Sequence, residues 1–409
     1  MCVMGLLITL AILLSLSASP VLSIDDIGDA GLRTPSFPRR SMGDHHQEGG
    51  RITREELRNR RALIVQSTPK ARAVSCDGTM RQHPTLPPAP DDALNFFTIG
   101  DWGVRGLSVG SEAQLAVARG MSCVARKHPP KFVATLGDNF YPNGVTSVDD
   151  KQFLHKFEEV YNDVSLHDIP WYPSIGDHDH CGDVAAQAEY SLRSNRWTMP
   201  RAWYTQYINI PGSGGAVVQL IFVDWVALEG KFSSTDGDRR FHGQLSDAAG
   251  AETSARHWEW LRKVTNKGNP TWRIALGHRP LVSVSARAER DDKQYPAEAK
   301  ARHAIREMME SVQVDLWING HDHSAQVACS VSRDAKKMTH FITNGIGGYD
   351  LHALRRKSEW YEETKYANSS YHGFGVHRVT RDEISNYFLD YRGDVQHEFV
   401  IRKDSESCQ

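Results

Sequence analysis

Five stretches of the sequence end in glycine followed directly by aspartate or histidine. The corners are Gly100-Asp101, Gly137-Asp138, Gly176-Asp177, Gly277-His278 and Gly320-His321, and His323 follows the last of them by two residues. Carboxylate and imidazole ligands without thiolates suit iron, manganese and zinc. The number of donors exceeds what one tetrahedral ion needs, so the set favours two ions bridged by a carboxylate. Two ions about 3.5–4 Å apart can acidify a water and stabilise an in-line displacement at phosphorus.

Each corner follows a short apolar run that is typical of a buried β-strand. Runs such as NFFTI before Gly100 and KFVATL before Gly137 alternate with segments whose apolar residues recur every three or four positions. This alternation predicts an α/β domain, in which the carboxyl ends of strands meet at one edge. A glycine there lets the backbone turn and leaves the next side chain free to enter a cleft. One such corner is usually turn chemistry, whereas five together indicate a shared metal centre.

The rest of the chain suggests one catalytic domain behind a processed leader. Residues 1–23 have the pattern of a signal peptide, residues 24–92 are polar and predict a flexible leader or propeptide, 93–403 form the catalytic domain, and 404–409 are a short tail. No other segment is long and apolar enough to span a membrane. A formal net charge of −2 gives no reason to expect nucleic acid as a partner. We expect a monomer that enters the secretory pathway and is secreted or reaches a lysosome- or vacuole-like compartment.

Two further features bear on that route. Asn368 begins a sequon for N-glycosylation, Asn-Ser-Ser, which predicts a glycoprotein. Five cysteines lie beyond the signal peptide, so one or two disulfides are allowed but no dense framework is indicated. For Cys181, a bridge to Cys123 or Cys329 and an unbridged thiol are both open.

The order GDWG, GDNFY, GDHDH, GHRP and NGHDH resembles that of the calcineurin-like metallophosphoesterases. Tyr141, three residues after Asp138, narrows the resemblance to the purple acid phosphatases of the small tartrate-resistant type, from Ala93 to Lys403. The resemblance implies a four-layer α-β-β-α sandwich of two packed mixed sheets flanked by helices. It also implies an acid phosphatase that hydrolyses phosphate monoesters, on small molecules or phosphoproteins, by attack of a hydroxide held on two metals.

The resemblance assigns roles to individual positions. It makes Asp101, Tyr141 and His323 terminal ligands of Fe(III), Asp138 the bridge, and Asp177, His278 and His321 ligands of a second divalent ion, iron, zinc or manganese. Asn139 would orient the site through a hydrogen bond from outside the ligand set. His178 would reach the phosphate and assist the leaving group, with Asp179 supporting it by a hydrogen bond. His180 is expected at the surface or outside the ligand set.

Two positions depart from the family pattern. Asp177 replaces a neutral asparagine, which adds a negative charge and predicts weaker attraction for phosphate and reduced phosphatase efficiency. Arg287 stands where the family has an active-site histidine, and an arginine can clamp phosphate but cannot donate a proton to a leaving group. These departures leave alternatives open: a phosphodiesterase or nucleotide hydrolase on the same metals, or a weakly active or inactive membrane-system scaffold.

Overall fold

The computed structural model describes residues 69–76, 86–103, 111–230, 247–294, 296–331, 338–355, 360–403 and 405. In these ranges the strands are β1 (Leu94–Ile99), β2 (Val133–Leu136), β3 (Trp171–Ser174), β4 (Tyr204–Asn209), β5 (Val217–Phe222), β6 (Trp272–Leu276), β7 (Leu316–Asn319), β8 (Ala325–Val331), β9 (Met338–Asn344), β10 (Thr364–Asn368), β11 (Gly373–Val379), β12 (Glu383–Asp390) and β13 (Val395–Arg402). The α-helices are α1 (Glu112–Lys127), α2 (Val184–Tyr190), α3 (Trp225–Glu229), α4 (Asp247–Thr265), α5 (Ala286–Gln294) and α6 (Pro296–Ser311). A π-helical segment covers Phe153–Glu158 and a 3₁₀ turn covers Asp179–Cys181.

The strands form two mixed sheets, as predicted. One has the order β13-β12-β11-β1-β2-β3 and the other β10-β8-β9-β7-β6-β5-β4. Strands β1, β2 and β3 are parallel to one another, and so are β5, β6 and β7. Each parallel group therefore directs its carboxyl ends to one edge of its own sheet.

Side-chain alternation along the strands explains the layering. In β6, Ile274 belongs to an apolar cluster that also contains Phe97 of the other sheet, whereas Ala275 belongs to a second cluster with Leu261 of α4 and Ile305 of α6. Successive residues of a strand point to opposite faces, so β6 packs on the other sheet with one face and on helices with the other. Burial on both faces is the reason that these strands are almost continuously apolar in sequence.

The strands after His321 are shared between the two sheets. The sequence pattern predicts that they complete one second sheet, but β8, β9 and β10 join the seven-stranded sheet while β11, β12 and β13 join the six-stranded one. The reason is that β11 is buried along its whole length and pairs on one side with β1 and on the other with β12. Sequence order alone does not reveal this crossover.

Part of the predicted leader lies against the domain. Cys76 forms a disulfide with Cys123 of α1, and the Val74 amide donates to a carboxylate oxygen of Asp163 at 2.7 Å. Residues 69–76 of the predicted leader over 24–92 therefore contact α1 and Asp163. Cys181 is not in a disulfide, which decides between the two alternatives for that residue.

The signal-peptide prediction and the predicted tail, apart from Ser405, lie outside the described residues. Within the described residues, no helix combines the length and the apolar character needed to cross a membrane.

Candidate metal centre

The seven predicted ligands meet where strand ends of both sheets come together. Asp101, Asp138 and Asp177 follow β1, β2 and β3, while His278 and His321 follow β6 and β7. All of these side chains are buried, as are Tyr141 and His323. Ligand atoms of Asp177, His278 and His321 lie within 4.8 Å of one another, and so do those of Asp101, Asp138 and His278. Two overlapping sets of donors that share His278 fit a pair of neighbouring ions.

At three of the five corners, the ligand residue itself has a left-handed backbone conformation. Asp101, Asp138 and His321 have φ values of 57°, 51° and 66°, while Gly137 is the corner glycine with a positive φ. Most of the corner glycines are therefore needed for a different reason than the predicted turn. A Cβ on Gly176 would lie 2.2 Å from the Asp138 backbone nitrogen, so the corners pack too closely for any side chain. Strained non-glycine backbone of this kind costs about 1–3 kcal/mol per residue and clusters at functional sites.

Tyr141, Asp101 and His323 form one half of the centre. The Tyr141 hydroxyl donates to Asp101 Oδ1 at 3.0 Å and lies 3.2 Å from His323 Nε2. His323 Nδ1 hydrogen-bonds to the Asp350 carbonyl, which directs Nε2 towards the phenol. Burial, together with the Asp101 and Asp138 carboxylates, raises the pKa of Tyr141 well above its usual value. A phenolate at this position therefore needs a strongly charged cation beside it.

Asp177, His278 and His321 form the other half. His278 Nδ1 donates to the Leu136 carbonyl at 2.8 Å, so a neutral His278 presents an unprotonated Nε2. That nitrogen lies 2.9 Å from Asp177 Oδ1 and 3.2 Å from Asp138 Oδ1, and all three atoms are then electron-pair donors. Only a cation satisfies them together, which is the observation that fits this donor set to a metal.

The protonation preferences of this half lead to the same conclusion. Burial alone would lower the pKa of His278, but the Asp138 charge and hydrogen bonds to Asp138 and Asp177 raise it well above 6.5. Burial would likewise raise the pKa of Asp177, yet the His321 charge brings it well below its usual value. Without a metal, a proton would occupy the place that the donors offer to a cation.

Residues 94–325 match the model of the family described as calcineurin-like phosphoesterase. This chain belongs to the calcineurin-like phosphoesterase family. It is 28% identical to purple acid phosphatase 4 of Arabidopsis thaliana, over 78% of this chain and 87% of the relative. It is 30% identical to tartrate-resistant acid phosphatase type 5 of Homo sapiens, over 59% of this chain and 71% of the relative. The resemblance predicted from the five corners is thereby confirmed.

Solved structures share the fold of this phosphoesterase. GAP50, described as the anchor in the inner membrane complex of Plasmodium, superposes with a TM-score of 0.61 at 21% identity, over 76% of this chain and 89% of its own. The purple acid phosphatase PPD1 of yellow lupin superposes with a TM-score of 0.53 at 14% identity, over 80% of this chain and 58% of its own. At these identities the likeness concerns the fold alone, and it confirms the predicted sandwich of two mixed sheets.

In this phosphoesterase, His178 lies at the rim of the centre. Its side chain is half-buried, Nδ1 is 2.6 Å from the Pro142 carbonyl, and its backbone amide donates to Asp138 Oδ1 at 2.9 Å. The ring centroid lies 4.4 Å from that of Tyr141. The Pro142 carbonyl therefore orients this histidine, which is the role that the sequence assigns to Asp179.

Asp179 accepts its hydrogen bonds from the ligand-bearing loops and from α2, while its support of His178 stays a prediction. Its carboxylate accepts from the Gly176 amide at 2.9 Å, from the Asn139 amide at 3.1 Å and from Gln187 Nε2 at 2.9 Å. Burial and the nearby Asp138 charge raise the pKa of Asp179 to about 6. Asn139 also donates to the Ser174 carbonyl at 2.8 Å, so these two residues join the ends of β2 and β3 beneath the ligands.

His180 is buried rather than at the surface. Its Nε2 lies 2.8 Å from Asp224 Oδ1, and the same oxygen accepts from the Ala227 amide in the first turn of α3. This histidine thus connects the ligand-bearing loop to α3.

Arg287 forms an ion pair with a carboxylate that was not among the predicted site residues. It lies on α5, where its Nε donates to Asp291 Oδ2 at 2.7 Å. The same oxygen is 3.5 Å from His321 Nε2, on the side of the ring away from Asp177. The predicted phosphate clamp is therefore engaged with Asp291, which orients a ligand histidine. The spacing of four residues on a helix was the available signal for this pair.

Two aromatic residues after β9 were also missed. Tyr349 stacks on Tyr141 with 4.1 Å between ring centroids, and His352 stacks on His323 at 3.9 Å. His352 Nδ1 accepts from the His323 amide at 3.1 Å. The sequence GGYDLH carries no strand-end pattern, so nothing local indicated these contacts.

Proposed function

We propose that the protein is a metal-dependent acid phosphatase that hydrolyses phosphate monoesters on a centre of Fe(III) and a divalent iron, zinc or manganese ion. The observation that carries this proposal is the close approach of His278 Nε2 to the buried Asp138 and Asp177 carboxylates, 3.2 Å and 2.9 Å away. Asp101, Tyr141 and His323 would hold the ferric ion, and Asp177, His278 and His321 the divalent ion, with Asp138 between them. Bound cations of this kind acidify a water and neutralise charge on the phosphoryl group.

His178 is the residue best placed to assist the leaving group. Because Nδ1 donates to the Pro142 carbonyl, a neutral His178 carries no proton on Nε2. It can donate a proton from Nε2 to the leaving group only as the imidazolium. This fixed orientation of Nε2 supports His178 as the residue that assists the leaving group.

The remaining parts of the proposal concern the setting of the enzyme. We infer a monomer in the secretory pathway that acts on phosphorylated small molecules or phosphoproteins, is secreted or reaches a vacuole- or lysosome-like compartment, and carries a glycan on Asn368. The disulfide between Cys76 and Cys123 supports an oxidising compartment. Asn368 is half-buried at the end of β10 and its side-chain oxygen accepts from Ser370 Oγ at 2.7 Å.

The test is metal analysis combined with phosphatase assays on the purified protein. We expect two metals per chain, a visible absorption band from a tyrosinate–iron pair, and hydrolysis of an aryl phosphate monoester at acid pH. Asp138→Asn should lose the activity, whereas Asp183→Asn, which alters an exposed cap of α2, should keep it. Faster hydrolysis of a phosphate diester would favour the phosphodiesterase alternative, and a colourless, metal-free, inactive protein would favour the scaffold.

A further inference from the structure

Asp177 directs its two carboxylate oxygens to different neighbours. Oδ1 lies 2.9 Å from His278 Nε2 and 3.2 Å from His321 Nδ1, so it belongs to the ligand cluster. Oδ2 lies 3.7 Å from Nη2 of Arg279, the residue that follows the ligand His278 in sequence. The carboxylate therefore stands between the site for the second ion and a guanidinium.

Arg279 is buried as deeply as the ligands. Its side chain is 3% exposed and that of Asp177 is 1% exposed. A buried guanidinium is strongly destabilising unless an anion accompanies it, and the same holds for a buried carboxylate. Each of the two side chains supplies a charge of opposite sign to the other at a position next to the metal centre.

This pair changes the charge count expected from the sequence. Four negative charges come from Asp101, Asp138, Asp177 and a Tyr141 phenolate. With asparagine at position 177 there would be three, so the additional negative charge is that of Asp177. Arg279 contributes one positive charge beside that carboxylate. The sum over Asp177 and Arg279 is zero, which equals the charge of an asparagine.

We propose that Arg279 is a positioning residue that neutralises Asp177, so that this carboxylate acts on the second ion as a nearly neutral oxygen donor. The inference rests on the proposed metal-dependent function. It replaces the expectation that Asp177 by itself weakens the attraction of the centre for phosphate.

The proposal makes opposite predictions for the two single variants. Asp177→Asn removes the negative charge and keeps the positive charge of Arg279, so a divalent ion such as Zn²⁺ should bind about tenfold more weakly while inorganic phosphate binds more tightly. Arg279→Met removes the positive charge and keeps the negative charge of Asp177, so Zn²⁺ should bind about tenfold more tightly while phosphate binds more weakly. The double variant Asp177→Asn/Arg279→Met should return both affinities to within about threefold of the wild type.

The measurements are Zn²⁺ affinity, by competition with a chromophoric chelator, and inhibition by inorganic phosphate. Arg279→Lys keeps the positive charge and should stay close to the wild type in both. Thermal unfolding of each variant serves as the control for folding. A loss of structure would weaken metal and phosphate binding together, whereas the proposal requires that they change in opposite directions.

Two results would overturn the proposal. If Arg279→Met leaves the Zn²⁺ and phosphate affinities within about threefold of the wild type, or changes them in the same direction as Asp177→Asn does, Arg279 does not offset the charge of Asp177 and the inference fails, while wild-type binding of two metals leaves the proposed function intact. If the wild type binds no metal, the proposed function itself fails and the inference fails with it.

Discussion

Asp291→Asn should weaken the second metal site without touching a ligand. Asp291 Oδ2 lies 3.5 Å from His321 Nε2, so a His321 that binds a metal through Nδ1 can donate its remaining proton to this carboxylate. Burial by itself would raise the pKa of Asp291. Its hydrogen bond to His321 and the charges of His321 and Arg287 outweigh burial and lower the pKa below its usual value, so the group is an anion at neutral pH. A hydrogen bond to a charged acceptor contributes about 1.5–3 kcal/mol, and one to a neutral amide about 0.5–1.5.

The difference between the two kinds of acceptor is about 1–2 kcal/mol. This corresponds to a dissociation constant for the divalent ion that rises by about 5- to 30-fold, within the range known for partners of metal-binding histidines. The Fe(III) half should be unaffected, because Asp291 contacts His321 and not the ligands around Tyr141.

The assay is chelator competition with Zn²⁺ on the purified variant. Glu289→Gln is a matched control, since it removes one negative charge from the same helix at a residue that pairs with Lys293 at 2.5 Å. It should bind Zn²⁺ as the wild type does. The reasoning is refuted if Asp291→Asn binds Zn²⁺ within about twofold of the control.

Four further outcomes are expected. Tyr141→Phe keeps the stacked ring but removes the phenol, so the iron protein should lose its visible absorption band, as spectroscopy would show. Gly176→Ala places a methyl 2.2 Å from the Asp138 amide nitrogen and should abolish metal binding measured by elemental analysis. Burial lowers the pKa of His377 to about 4, so the unfolded state takes up its proton first and stability should fall by about 3 kcal/mol from pH 6.5 to pH 4. Denaturant titrations should show a flatter fall for His377→Gln. Cys123→Ser opens the disulfide and should lower the free energy of unfolding by about 2–4 kcal/mol in denaturant titrations.

The parallel strands of the fold were predictable because their signal is local. The apolar runs before Asp101, Asp138, Asp177, His278 and His321 correspond to β1, β2, β3, β6 and β7. Each run is buried on both faces and ends in a corner too crowded for a side chain, and both properties leave a continuous trace in the sequence. The assignment of the later strands was not predictable, because the pairing of β11 with β1 joins residues far apart in the chain.

The metal ligands were likewise predictable from residue type and order, whereas the residues that surround them were determined by the tertiary structure. Asp177 was recognisable as an anion in the sequence, but its neutralisation by Arg279 depends on how β3 and β6 bring their ends together from opposite sheets. The hydrogen bond between His278 and Leu136, which selects the ligating nitrogen, spans 142 residues. A sequence determines which chemical groups are present and how each short segment folds. The net charge and orientation of a buried group depend on its neighbours in space, and only the packed sheets determine those neighbours.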